Sequence, residues 1–239
     1  LADVINSLSG FYVSYDRNYH YIGTRGFSPP GDYNTRILVL IDGHRINDNI
    51  YYTAPIGNEF ILDVDLIDKI EVIRGPSSSI YGTNAFFGVI NVITKKGKDI
   101  NKFEVSGEAG SFDTYKQRVT FSKEFNKNTE LVLSASLFKS HGQNLYYKEF
   151  DSPSTNNGWV DNAEGEKHNI FFLSARYMDF TLQGGFVTRE KTIPTAPWGT
   201  VFNTDMTNTT DRSGYLNLRF KKETDNGTYF MSRVLYNYY

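Results

Sequence analysis

"IEVIRGPSSSIYGTNAFFGVINVITKKG", residues 70–97, decides how this chain is read. It sets two apolar alternating runs around a Gly-Pro break, a serine cluster and two further glycines. Ile70 and Val72 alternate against Glu71, the period of a strand. Gly75-Pro76 ends that strand, because Pro76 has no N–H to donate and its ring blocks continuation. A brief Ser-rich helical turn follows, its serines reading as a cap and as small turn residues. In "FFGVINVITKK", Val89, Asn91 and Ile93 alternate with Ile90, Val92 and Thr94, giving a second strand. A phosphate-loop reading of "GPSSSIYGTNAFFG" fails. No Lys-Ser/Thr follows a suitably spaced glycine, and no long helix follows to offer its N-terminus.

Upstream, "LADVINSLSG" places Leu1, Val4, Ile5 and Leu8 at a helical period, with Gly10 as the stop. "YHYIGTRGF" reads as a short strand. "TRILVLIDGHRIND" predicts a hairpin, with Asp42-Gly43 as a two-residue turn able to adopt positive φ. "DLIDKIEVIRG" passes from a helical turn into a strand, and Asp63 and Asp65 beside that turn read as N-terminal capping. The first ~97 residues therefore predict a mixed α/β domain.

Downstream of Lys102 the pattern changes. "KFEVSGEAG", "YKQRVTFSKEF", "ELVLSASLF", "NIFFLSARY", "FTLQGGFV", "SGYLNLRFKK" and "TYFMSRVLYNYY" alternate apolar with polar, and predict seven strands. The links after the second, fourth and sixth strands are short. Those after the third and fifth, roughly residues 140–167 and 190–211, are long and rich in Asn, Thr, Gly and Pro. Only "GSFDT", after the first strand, is short on the long-loop side. Long loops at one end and tight turns at the other is the arrangement of an outer-membrane barrel. A soluble sandwich also alternates, so both readings stand on pattern alone.

Composition bounds the answer. With 239 residues, one large or two small domains fit, and a net charge of −2 gives no basic excess for a nucleic-acid partner. There is no cysteine, hence no disulfide framework and no thiolate metal site. The 17 Tyr and 18 Phe favour strands. No apolar run approaches the roughly 18 residues of a membrane helix, and no charged n-region with an apolar h-region opens the chain, so any signal peptide is expected to be already gone. Negative mean hydropathy argues against a helical membrane protein but not against a barrel, whose strands bury only alternate residues in lipid.

Catalytic chemistry finds little support. There is no Gly-x-Ser-x-Gly elbow, and His20, His44, His141 and His168 show no metal-ligand spacing. No nucleophile, base and oxyanion site assemble, so neither an enzyme nor a bound metal or cofactor is expected. Two arginines stand out, Arg25 in "GTRGF" and Arg74 in "VIRGP", each before a glycine at a strand end. They are either surface arginines or a pair reaching a shared acidic partner.

"YIGTRGF", "RILVLIDGHRIND" and above all "IDKIEVIRGPSSSIYGTNAFFGVINVITKKG" resemble the plug domain of TonB-dependent outer-membrane receptors. The resemblance implies an α+β plug over residues 1–97 followed, over residues 98–239, by the first antiparallel strands of a membrane β-barrel. Barrels of this plugged kind have roughly 22 strands. It implies a ligand-gated receptor in the bacterial outer membrane, in contact with its lipid. Such a receptor is energised by TonB and takes up a scarce nutrient such as a ferric siderophore, haem or cobalamin. It implies that Arg25 and Arg74 form a plug–barrel lock with barrel glutamates. Gly26, Gly75, Gly82 and Gly88 are the plug-motif glycines, read as turning the backbone and giving room for close packing. Tyr33, Asn49, Tyr51 and Tyr52, in "SPPGDY" and "NDNIYYT", are candidate ligand-facing plug apices. Leu1 falls at the plug's first helix, so the TonB box and a first plug strand are expected to precede it. The partners of the two arginines are expected beyond Tyr239. A segment of this reach is expected neither to couple to TonB nor to transport. The alternative from another class is a surface β-rich binding or adhesion module with a plug-like domain and no transport role.

Overall fold

A computed structural model of the chain describes residues 1–28, 31–100 and 102–239. Helix α1 (Ala2–Asn6) opens the chain. It is shorter than the apolar period predicts because the Ser7 hydroxyl donates back to the Val4 carbonyl and the chain leaves the helix there. Strands β1 (Phe11–Tyr15) and β2 (His20–Thr24) form an antiparallel hairpin. Sequence reading found only the second of these.

Strands β3 (Ile37–Ile41), β4 (His44–Arg45), β5 (Ile67–Arg74) and β6 (Gly88–Thr94) make a four-stranded sheet in the order β4-β3-β6-β5. The Asp42-Gly43 turn forms as the sequence predicts, with φ of 48° and 73°. All of β3 is buried, since it lies between β4 and β6 and has apolar packing on both faces. Its partner β6 runs parallel to it, as suits a strand covered on both sides. The Ser-rich turn is α2 (Ser78–Tyr81). Ser77 stands at its N-cap, but its hydroxyl donates to the Gly75 carbonyl and not toward the helix N–H groups.

The remaining chain builds a larger sheet from β7 (Phe103–Gly110), β8 (Thr114–Asn126) and β9 (Thr129–Ser140), then β12 (Glu166–Tyr177), β13 (Phe180–Thr192), β14 (Asn208–Glu223) and β15 (Tyr229–Tyr238). The small hairpin β10 (Leu145–Tyr146) and β11 (Trp159–Val160) sits within the long link between β9 and β12. The seven long strands pair in chain order, every pair antiparallel. The long links, 141–165 and 193–207, leave one edge of this wall, and the 127–128, 178–179 and 224–228 turns close the other.

The wall is inside out. The register that faces the plug is largely polar and buried: Thr120, Ser122, Ser134, Ser136, Gln183, Arg189, Lys191 and Asn217. Ser122 is 1% exposed and Arg189 2%. The opposite register is apolar and open, with Val105 67% and Val234 66% exposed, alongside Leu137, Phe171, Phe186 and Leu216. A soluble sheet presents the reverse; a membrane barrel presents this. Among the described residues no helix is long and apolar enough to cross a membrane, a fact that says nothing about strands.

Candidate functional site

The plug's open end is built by asparagine and aspartate side chains that stand in for backbone partners. Asn47, buried, accepts from the Val39 N–H at 2.9 Å and donates to the Ile37 and Tyr52 carbonyls at 3.0 and 3.1 Å. Asp48 takes the N–H groups of Ile50, Tyr51 and Thr53 on its two oxygens. Burial alone would push the Asp48 carboxyl up, but the hydrogen bonds from Thr53, Tyr51 and Ile50 outweigh it and hold the carboxyl below the usual range. This cage projects Asn49, Ile50, Tyr51 and Tyr52 outward, Tyr51 being 76% exposed. Tyr33 joins the same end, since its carbonyl accepts from the Ala54 N–H at 3.1 Å. Its ring meets Tyr19 and Tyr21 at 5.7 and 5.6 Å. The four predicted apex residues therefore converge on one surface. Pro29 and Pro30 of the predicted "SPPGDY" loop lie outside the described residues.

Asn47→Ala strips the Val39 N–H and the Ile37 carbonyl of their side-chain partner, while the Tyr52 carbonyl keeps Asn84, a loss of about 2–6 kcal/mol at 1–3 kcal/mol per buried unsatisfied group. Limited proteolysis is expected to cut the variant within 49–52 much faster than the parent, with strands β12–β14 still protected.

The two arginine motifs meet at the same end of the plug sheet, where Ile37 pairs with Gly88 and Gly88 with Arg74. Gly75 N–H donates to the Phe87 carbonyl at 3.0 Å, and Phe87 stacks on Phe27 at 5.8 Å. Phe27 stands two residues after Arg25. The Phe11 ring lies 3.9 Å from where a Cβ on Gly88 would stand, and Gly88 pairs with Arg74. Arg25 and Arg74 are both exposed, and neither has an ion pair among the described residues. Phe27, Ile73, Ile80 and Phe86 lie open around them. Gly88 is a packing glycine, because a Cβ there would come within 2.8 Å of the Ile73 carbonyl oxygen. Gly26, Gly75 and Gly82 serve conformation alone: each holds φ between 78° and 101°, with nothing within 4 Å of where a Cβ would stand. Among the described residues nothing packs closely on Gly82.

The seam with the wall was not legible in sequence. Gln183 donates to Asp42 at 2.6 Å, Arg118 to Asp65 at 3.2 Å and Lys116 to Asp63 at 3.2 Å, while the Ser122 hydroxyl reaches the Gly97 carbonyl at 2.6 Å. These contacts fall at the Ile41, Thr94 and Ile67 ends of the plug strands. Arg74 and Gly88 lie at the opposite ends of β5 and β6. The one signal available beforehand was the polar register of the wall strands.

His44 closes the seam, buried and stacked on Tyr215 at 4.5 Å. Burial, and then the Arg233 guanidinium, bring its pKa down to about 4. A histidine kept neutral stabilises the fold fully above its unfolded value of about 6.5, and that stability is lost as the pH falls toward 4. The loss reaches roughly 3 kcal/mol at 1.36 kcal/mol per pKa unit. Thermal melts between pH 7 and pH 4 are expected to show a steeper loss for the parent than for His44→Phe, which keeps the stack and cannot titrate. Among the described residues no group of His, Asp or Glu side chains could hold a metal ion.

Residues 1–89 match the family model of the TonB-dependent receptor plug domain. That stretch is a TonB-dependent receptor plug domain. Over 147 residues the chain is 32% identical to the vitamin B12 transporter BtuB of Vibrio vulnificus, a match that covers 59% of this chain and 22% of the transporter. Its fold is that of the pyoverdine outer-membrane receptor FpvA from Pseudomonas aeruginosa, with a TM-score of 0.69 at 18% identity, covering 99% of this chain and 34% of that one. The siderophore receptor PiuA from Acinetobacter baumannii gives the same TM-score at 14% identity, over 99% of this chain and 33% of that one. The chain thus spans about a fifth of the curated relative (22%) and about a third of these solved receptors (34% and 33%). TonB-dependent receptors are outer-membrane transport receptors and not enzymes. The apolar outward face of the wall suits that location.

Proposed function

We propose that this TonB-dependent receptor is a ligand-gated, TonB-energised uptake receptor for a scarce nutrient carried as a metal chelate or corrinoid. The observation that carries the reading is the inside-out wall, whose polar register is sealed by a plug through hydrogen bonds. These polar contacts can be remade with water as a plug shifts, which leaves the shared apolar patch at Val132, Ile170, Phe172, Val187 and Tyr215 as the part of the seam that resists. The apolar register meets lipid. The relatives support the small-ligand class: one is a vitamin B12 transporter and another a pyoverdine receptor.

In this reading the plug comprises residues 1–97 and the barrel begins at residue 98. Arg25 and Arg74 lock the plug to acidic side chains on barrel strands that face the wall described here. Support comes from the meeting of the two motifs, their lack of carboxylate partners among the described residues, and the open apolar surface around them, which is of the kind that a partner covers. Tyr33, Asn49, Tyr51 and Tyr52 meet the ligand. Calorimetry on the whole receptor with ferric chelates, haem and cobalamin is expected to yield one class that binds. Uptake of that class is expected to stop when the proton-motive force is dissipated. Binding to none of them, or uptake indifferent to the proton-motive force, defeats the proposal.

A further inference from the structure

The tip of the β1–β2 hairpin, residues 16–19, enters the wall at one place. Asn18 is buried there, and Arg189 of β13 holds it. The Arg189 guanidinium donates to the Asn18 carbonyl at 2.6 Å, to Asp211 at 2.9 Å and to Glu166. The Tyr19 hydroxyl donates to Asp211 at 2.7 Å, and the Tyr19 ring lies 5.4 Å from the guanidinium. Thr209 donates to the Asn18 side chain at 2.9 Å. Arg17, held at a φ of 74°, reaches Glu164 at 3.0 Å.

The positions of the wall residues in the chain give this grip its meaning. Glu164 and Glu166 end the long segment 141–165. Arg189 and Lys191 lead into the long segment 193–207, and Thr209 and Asp211 leave it. Every wall residue touching the tip is therefore at the root of a long segment. Glu164 divides its two oxygens: one takes Arg17 of the plug, the other takes the Gln143 N–H at the start of its own segment, at 2.8 Å. Lys191 donates to the Glu164 carbonyl at 2.8 Å, tying the roots together. Further out, Phe202 of the second segment stacks on Phe150 of the first at 4.2 Å, and the Asp161 N–H donates to Asn203 at 2.8 Å. The two segments form one packed body, rooted on the hairpin tip.

We propose that this junction couples the conformation of the two long segments to the plug, with Arg17, Glu164 and Arg189 as positioning residues. A rearrangement of either segment must shift Glu164, Arg189 or Asp211, and each of these holds the tip. The inference rests on the receptor reading only for its use, which is to carry news of an outer ligand into the plug. The coupling itself is a property of the unliganded protein. Linkage makes it reciprocal: a change at the tip must loosen the segments, and a change in the segments must loosen the tip.

Amide hydrogen exchange on the whole receptor in detergent tests this, because local opening is what exchange reads. Arg17→Met keeps the length of the side chain and removes the ion pair. It is expected to speed exchange about tenfold at 143–163 and 195–207, the effect of losing one charge-assisted hydrogen bond of about 1.5 kcal/mol. Exchange in β8 and β9 is expected to stay unchanged, and Arg17→Lys is expected to restore part of the protection. In the reverse direction Phe202→Ala, a change within the long segments that leaves both sheets intact, is expected to speed exchange at 12–22. Faster exchange confined to 12–22 in Arg17→Met, or an unaltered hairpin in Phe202→Ala, overturns the proposal. Coupling seen in a protein that binds no nutrient would defeat the functional reading and leave this one standing.

Discussion

Replacing Arg25 and Arg74 together with alanine is expected to free the plug. If each arginine holds a carboxylate inside the closed receptor, removing it leaves a buried charge unpaired, at about 3–5 kcal/mol per broken pair. Even one such loss shifts the open population on the order of 100-fold or more. The chain has no cysteine, so a single introduced thiol reports without background. Ala85 is fully buried beside β3 and β6, in the cluster with Leu38, Leu40 and Val89. That core is the control; Ile80, 81% exposed in the chain, lies on the open surface that the lock would cover, and in an Ile80→Cys background maleimide labelling of the whole receptor in membranes is expected to accelerate by that factor when both arginines are gone, with Ala85→Cys still protected. The seam at Asp42, Asp63 and Asp65 stays intact in that variant, so the plug is released at one end and not unfolded. Unchanged labelling together with unchanged uptake would remove the lock from the account.

Phe171→Arg is the second large effect, and it separates a membrane wall from a soluble one. Phe171 lies mid-strand on the outward register and is 47% exposed in the chain alone. On a soluble sheet, a charge at so open a site is harmless. On a barrel strand near the bilayer midplane it costs about 2–4 kcal/mol. Refolding into lipid vesicles, followed by gel mobility with and without heating, is expected to give a sharply reduced folded fraction. Ser174→Arg, on the inward register of the same strand, is expected to fold with a far smaller loss. Equal folding of the two variants would sink the membrane assignment.

Local rules carried most of what the sequence made legible. The Asp42-Gly43 hairpin, the strand ended by Gly75-Pro76 and the seven alternating strands each depend on neighbours within a few residues. The apex candidates came from the plug resemblance and not from a local rule. What stayed hidden was long-range. Arg189 grips Asn18 across 171 residues and Gln183 reaches Asp42 across 141, and no local period marks either pairing. Strand β1 was missed for a related reason. "FYVSY" is short and lacks a clean alternation, and it becomes a strand because β2 pairs with it. The packing role assigned to Gly82 failed because a glycine's letter does not distinguish a backbone that must turn from one that must be approached.

The principal apolar cluster does not stop at the plug. Ile5, Ile22, Val39 and Phe60 share it with Val132, Ile170, Phe172, Val187 and Tyr215, which come from four strands of the wall. Neither part can dry its own interior before the other arrives. Most of the closing contacts join residues more than a hundred positions apart, so assembly waits on slow, long-range chain closure. During that wait the plug carries an uncovered greasy flank, and secretion of such a chain calls for a holding chaperone until the wall has wrapped around it.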